Sequence, residues 1–257
     1  MQNKVIHREN SSTKIFDDRS LAVDYRTLVP VLRKGMRVLD VGCGSGSITK
    51  DIADITGHAI GIDNTEKFIK AGKENFPELD LRCVDLFAFN TDEPFDLIVS
   101  ARTMQWLRNV DEALIKMRSM LKPGGILSIL DYNHMKVEWQ PEPPASMKKF
   151  HGAFLKWREE AGMNNRVADD LPELLDRAGF SNIQVFNSDE HYRRGEENFV
   201  FRAGIWSKVA ELKQIVEERY STENERLQAI EEYNAWVLEK AQSMSMKLNE
   251  VRGIFMG

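Results

Sequence analysis

Met36-Arg-Val-Leu-Asp-Val-Gly-Cys-Gly-Ser-Gly-Ser-Ile-Thr49 is the stretch around which the rest of the chain is read. A short apolar run, Val38, Leu39 and Val41, ends on three glycines at alternate positions, Gly42, Gly44 and Gly46, and a helical pattern begins near Ser47. This is the signature of a buried strand, a tight turn and a helix start. Glycines so spaced let the backbone take conformations closed to other residues and let a ligand approach the main chain. A dinucleotide fingerprint would run G-x-G-x-x-G/A. Counted from Gly42, its last position falls on Ser47, so the match is imperfect. Asp40 stands two residues before the first glycine. A carboxylate there repels a pyrophosphate and attracts an amino group or a sulfonium.

Composition narrows the classes. The chain has 257 residues, 29% of them charged, with a net charge of −5. That length accommodates one large domain or one domain with substantial insertions. No apolar run approaches the ~20 residues of a membrane span, and the first ten residues lack the apolar centre of a signal peptide, so a cytoplasmic location is expected. Cys43 and Cys83 are the only cysteines. They are read as small core residues in a reducing compartment, without metal-ligand spacing. No basic run marks a nucleic-acid surface.

Outward from the glycine turn, the pattern alternates strand and helix. Residues 1–16 are polar. From Asp17 or Asp18, either of which can cap it, a helix is predicted that carries Leu21, Tyr25, Leu28, Val31 and Leu32 largely on one side and is bent or restarted at Pro30. After the turn, Ile48, Ile52 and Ile55 form one helical face ending at Gly57. His58–Asp63 is a second buried strand stopping on an acid about 20 residues downstream of the turn, placed to grip two ribose hydroxyls. A helix over Glu66–Phe76, a third strand over Leu79–Val84, the acid Asp85 and a fourth strand over Pro94–Ser100 follow. A helix burying Val110, Leu114, Met117, Met120 and Leu121 leads to Lys122-Pro-Gly-Gly125, a sharp turn into a fifth strand that ends at Asp131. Beyond it, a helix is predicted across Ser146–Glu160, a core pattern over Leu171–Gly179, a sixth strand at Ile183–Phe186, helices from Glu196 to Lys240, and a last strand over Ser243–Phe255 with a bulge at Gly253.

The glycine stretch and the helix, Lys-Pro-Gly-Gly, strand sequence together resemble class I S-adenosylmethionine (SAM) dependent methyltransferases. The Gln105-Trp106 pair looks like the loop of the type-11-like small-molecule members, and the overall plan is similar to trans-aconitate methyltransferases and their relatives. The resemblance covers about residues 20–190 and the last strand. It implies an α/β, Rossmann-like sheet of seven strands, the last antiparallel, with helical insertions at 132–167 and 196–240 forming a lid. Residues 1–35 would be an N-terminal helical lid segment and 36–257 the SAM-binding domain. Five tryptophans, four of them in the insertions, are read as the walls of an enclosed pocket or as a small helical core of their own.

The activity implied is methyl transfer from SAM to an oxygen or nitrogen of a small molecule, a carboxylate included, leaving S-adenosylhomocysteine. The cofactor residues implied are Asp40, Gly42, Gly44, Gly46, Asp63, Asn64, Asp85, Leu86 and Ser100. Substrate contacts would come from Tyr25, Arg102, Gln105, Trp106, His134 and Trp157, with Arg193 and Arg194 as further carboxylate partners. His134 is the best placed of the five histidines to act as a base, ahead of His151 and His191, and no catalytic base is assigned. Neither the Asn/Asp-Pro-Pro-Tyr/Phe motif for exocyclic amines nor a Pro-Cys nucleophile follows the fourth strand. A macromolecular methyltransferase, a non-catalytic SAM-binding protein and an NAD(P) oxidoreductase remain the alternatives. The state of assembly, monomer or homodimer, does not follow.

Overall fold

The computed structural model describes residues 19–257. The polar start and the capping by Asp17 or Asp18 lie outside them. The described chain divides into two compact units. A sheet unit comprises 19–132, Val167–Ser188 and Leu248–Gly257, and a helical unit comprises Asn133–Arg166 and Asp189–Lys247.

The sheet unit is built on β1 (Arg37–Val41), β2 (His58–Asp63), β3 (Asp80–Cys83), β4 (Phe95–Ala101), β5 (Leu121–Gln140), β6 (Ser181–Asn187) and β8 (Ser243–Ile254), in the order β3-β2-β1-β4-β5-β8-β6. From β3 to β5 the strands are parallel. β6 and β8 pair antiparallel. Val38, Leu39, Leu97, Ile98 and Val99 are all fully buried, because a parallel sheet covered on both faces needs apolar runs rather than alternation. Helices α1 (Leu21–Asp24), α2 (Ser47–Thr56), α3 (Glu66–Asn75), α4 (Val110–Ser119) and α6 (Val167–Arg177) complete the unit. Its main core joins Leu39, Phe95, Ile98, Leu114, Met117, Leu171, Leu175 and Val251, and each such side chain contributes about 1.5–3 kcal/mol by leaving water. The chain runs from β1 outward to β3 and then returns to β4 on the other side of β1. The carboxyl ends of β1 and β4 therefore bound the crevice where open α/β sheets take their ligands.

The helical unit holds α5 (Ala145–Glu160), β7 (Glu190–Arg193), α7 (Phe199–Ala203), α8 (Ile205–Val209), α9 (Gln214–Glu217) and α10 (Glu223–Glu239), with β7 pairing antiparallel to Ser243–Met246 of β8. Aromatic side chains make its core. Trp206 lies edge-on to Phe154 and His151, with centroids 5.6 and 4.6 Å away, and Tyr233 stacks on Trp236 at 5.3 Å. The Tyr233 hydroxyl donates to Ala203 O and accepts from Trp139 Nε1. Of the two roles read for the tryptophans, Trp139, Trp157, Trp206 and Trp236 take that of a helical core.

Five expectations are corrected. The leading helix is two short pieces, α1 and a 3-10 turn over Arg26–Val31 that contains Pro30, because Tyr25 breaks the helix at φ −146°. Strand β5 runs on to Gln140, past Asp131. A strand not foreseen, β7, joins the seven. The bulge lies in β6 rather than at Gly253: three steps from Ser181 to Gln184 oppose two from Ile254 to Arg252, and Asn182 takes φ +52°. Cys83 is exposed at the end of β3 rather than buried in the core.

Candidate functional site

The glycine turn leaves β1 with Gly42, Gly44 and Gly46 at φ +76°, +58° and +86°, a region L side chains enter at a cost of roughly 1–2 kcal/mol. Gly42 has a second constraint. A Cβ there would sit 2.1 Å from Thr103 Oγ1, so the absence of a side chain lets the turn lie against the segment leaving β4. The Gly42 and Cys43 N–H groups both donate to Ile62 O, at 2.8 and 3.1 Å, fixing the turn to β2. Gly46 caps α2 in the left-handed conformation.

Asp63 closes β2 and is buried. Its two oxygens each accept a backbone N–H, Oδ2 from Gly44 at 3.1 Å and Oδ1 from Thr65 at 2.8 Å. A carboxylate offers about four acceptor positions, so each oxygen retains capacity for a hydroxyl donor. Asp40, the penultimate residue of β1, is 2% exposed and accepts the Thr49 hydroxyl on Oδ2 at 2.7 Å. Burial pushes its carboxyl up to about 6, the Thr49 hydrogen bond works against that rise and the Asp63 charge adds to it. Burial, followed by the charges of Asp40 and Asp63, raises the Cys43 thiol well above its ordinary value, so it stays a neutral S–H. Arg19, Asp40, Gly42, Cys43, Gly44, Ser47, Ile48 and Ala101 line a concavity open to solvent.

The remaining residues of the expected cofactor set are placed as follows. Asn64 is exposed next to Asp63. Asp85 lies two residues past β3, exposed, and accepts the Phe87 N–H at 2.8 Å, while Leu86 is buried. Ser100 is fully buried and donates to Val41 O at 2.8 Å, tying β4 to β1.

Of the expected substrate residues, Tyr25, Arg102, Gln105 and Trp106 belong to the sheet unit and His134 and Trp157 to the helical unit. Tyr25 is 1% exposed and its hydroxyl meets Ser128 Oγ at 2.8 Å. Arg102, at φ +59°, is buried against Asp24 at 3.8 Å and donates to the Tyr132 hydroxyl. Gln105 is buried, its N–H on Asp131 and its side-chain amide on Arg102 O. Trp106 ends a 3-10 turn over Met104–Trp106 and is half-buried. His134 packs edge-on to Phe154 at 5.5 Å, and burial, with the Arg158 charge and His151 adding, holds its imidazole neutral well below the ordinary value. Trp157 is 1% exposed beside Phe154. Arg194 donates to the Val237 and Leu238 carbonyls at the end of α10. Arg19, Cys43, Ser47, Ile48 and Ala101 at the concavity, and Thr49 as the donor to Asp40, were not foreseen. Thr49 closes the stretch that decides the fold, and its helical register, nine residues from Asp40, was the available signal.

The sheet order, the glycine turn and the acids at the ends of β1 and β2 define a class I, SAM-dependent methyltransferase fold. The chain belongs to the methyltransferase domain family, whose model matches residues 32–179. Among its relatives, the trans-aconitate 2-methyltransferase of Rhizobium rhizogenes is 34% identical over 119 residues, covering 45% of this chain and 46% of its own length. The malonyl-[acyl-carrier protein] O-methyltransferase of Bacillus cereus is 25% identical over 137 residues, covering 52% and 47%. The chain thus spans about half the length of these relatives. Among solved structures, YcgJ from Bacillus subtilis superposes with a TM-score of 0.58 at 16% identity, covering 91% of this chain and 98% of its own. The phosphoethanolamine N-methyltransferase 2 of Haemonchus contortus gives 0.56 at 17%, covering 91% and 52%. At such identities the superpositions establish the fold.

Proposed function

We propose that the chain binds SAM over the glycine turn and transfers its methyl group to an oxygen or nitrogen of a small molecule, with carboxylate acceptors the first to test. The observation that carries the reading is the Asp63 carboxylate, pinned to the turn itself through the Gly44 N–H. A cis-diol offers two donors to an acceptor-only group held in this way. Asp40 supports the choice of cofactor, because a buried carboxylate beside the turn suits a cationic ligand and opposes a pyrophosphate. The names of the two relatives, one acting on trans-aconitate and one an O-methyltransferase, support the type of acceptor.

The residues present fit the cofactor. Asp63 would hold the ribose hydroxyls, Asp40 would face the positive end, and Asp85 with Leu86 would meet the adenine edge. When bound, SAM would supply an electrophilic methyl group on a positively charged sulfur. The work left to the protein is alignment and exclusion of water, for which effective molarities alone lower barriers by about 7–11 kcal/mol. No base in this chain is assigned to the acceptor.

Thermal unfolding with S-adenosylhomocysteine, SAM, NAD and NADP, on the natural chain and on Asp63→Ala, tests the reading. At about 100 times its dissociation constant a ligand adds about 2.7 kcal/mol, or about 5–10 °C at this size. The expected result is a shift with the two adenosyl ligands alone, lost in Asp63→Ala. A shift with NAD or NADP alone would overturn it. Transfer of label from methyl-labelled SAM to a panel of small acids and amines then identifies the acceptor.

A further inference from the structure

The sheet ends on β3 at one side and on β6 at the other, and the sequence treats the two edges differently. β3 is four residues long and carries Asp80 and Arg82, which join through two hydrogen bonds of 2.8 and 2.6 Å. Short length and charge protect an edge whose main-chain N–H and C=O groups otherwise recruit another strand. β6 has neither protection. Its seven residues, Ser181-Asn-Ile-Gln-Val-Phe-Asn187, lie in a stretch without a charge or a proline from Ala178 to Ser188.

What β6 presents follows from its register on β8. Antiparallel neighbours alternate between residue pairs that exchange hydrogen bonds and pairs that do not. The Ser188 N–H donates to Leu248 O at 3.1 Å, and in the same register Phe186 stands opposite Glu250 and Gln184 opposite Arg252. These even-numbered residues spend their main-chain groups on β8. Val185, opposite Val251, therefore turns its N–H and C=O the other way, out of the sheet. It is 51% exposed, although a β-branched side chain suits a packed strand. The irregularity between Ser181 and Gln184 disturbs the strand before this point, so Val185 is the first outward residue of the regular part.

We propose that β6 is a self-association edge, at which two copies of the chain pair their β6 strands antiparallel about a two-fold axis at Val185. Val185 exchanges both main-chain hydrogen bonds with Val185 of the second copy and packs against its side chain, while Gln184 faces Phe186 of the second copy. The strand has no charged side chain with which to select a foreign segment. Its own copy matches it, because an uncharged strand laid against itself sets no like charges opposite one another. A two-fold contact of this kind closes at the dimer. One strand pair buries little area, so the dissociation constant falls at roughly 1–100 µM. The inference goes beyond the cofactor reading and does not depend on it.

Sedimentation velocity over a protein range of roughly 1–200 µM tests the pairing on the natural chain, Val185→Lys, Val185→Glu and an equimolar mixture of the two variants. The natural chain should pass from monomer to dimer across that range. Each variant alone should stay monomeric, because like charges meet at the axis, and the mixture should regain the dimer, because unlike charges meet there. Both variants should melt as the natural chain does by circular dichroism, since the new charge lies in water in the monomer. A natural chain that stays monomeric at the highest concentration, bare or carrying another polypeptide, would overturn the proposal. So would a dimer that persists in either variant, or two folded variants that fail to associate when mixed.

Discussion

Asp40 is held in the folded chain at a cost. Its carboxyl titrates near 6 instead of 3.8 because it is buried, so between those values the folded state binds more protons than the unfolded state. Stability from this group therefore falls as pH rises from about 4 to 6, and the full penalty stands above that window. The rise corresponds to about 3 kcal/mol. Asp40→Asn keeps an oxygen to accept the Thr49 hydroxyl and carries no charge. The unliganded variant should be more stable than the natural chain at pH 7.5, by up to about 3 kcal/mol, and the difference should vanish near pH 4. It should also bind SAM more weakly. Denaturant unfolding at the two pH values, with the cofactor titration beside it, decides the matter. The acids and glycines of this site were legible in the sequence because strand, turn and helix start are local signals. Arg19 was not, because a basic residue at the start of a predicted helix says nothing until the Ser20 and Leu21 N–H groups donate to Asp24 and Asp51 and fix the chain that follows it.

Strands β5 and β8 and the segment around Tyr25 are joined by a buried polar chain. The Tyr25 hydroxyl meets Ser128, Ser128 donates to Glu250, Arg252 donates to Glu250 and to Thr27 O, and the Arg252 guanidinium lies 4.2 Å over the Phe186 ring. Glu250 is fully buried. Removing its partner strands a charge, which costs about 3–5 kcal/mol, whereas replacing both partners by apolar groups is often neutral. Arg252→Met should therefore destabilise by at least about 3 kcal/mol, and Glu250→Met with Arg252→Met should recover most of the loss. Equal destabilisation by the single and double variants in urea would remove the charge pair as the cause. What the sequence concealed at this level has the same origin. Residues 132–140 of β5 mix buried and exposed positions without regular alternation, and β7 is a four-residue strand defined by its register on Ser243–Met246. Their extended form comes from partners far along the chain, which no local period records. The helices over Ala145–Glu160 and Glu223–Glu239 were readable because their apolar spacing is their own.

Acid acts on the two units in opposite senses. In the helical unit, burial holds His134 well below its ordinary value and brings His151 down to about 4. Both are folded as neutral imidazoles, so the stability they contribute is present above about pH 6.5 and is lost as pH falls toward 4. Over the same interval, protonation of Asp40 relieves the sheet unit. Acidification from pH 7 to 4.5 should loosen the helical unit, and the doubly substituted His134→Phe, His151→Phe chain should lose that response unless overpacking dominates, which the pH 7 melting temperature of the variant separates from titration. The placement of the tryptophans makes the event visible without a dye. Four of the five indoles belong to the helical unit, and Trp206 lies 4.6 Å from the His151 ring and 6.1 Å from the His134 ring. The protein therefore carries a fluorophore set that reports mainly on one of its units. In a Trp106→Phe background, emission becomes an optical readout of the helical unit alone, and the restored Trp106 is a single added chromophore in the sheet unit, against which a ligand's arrival can be read by difference.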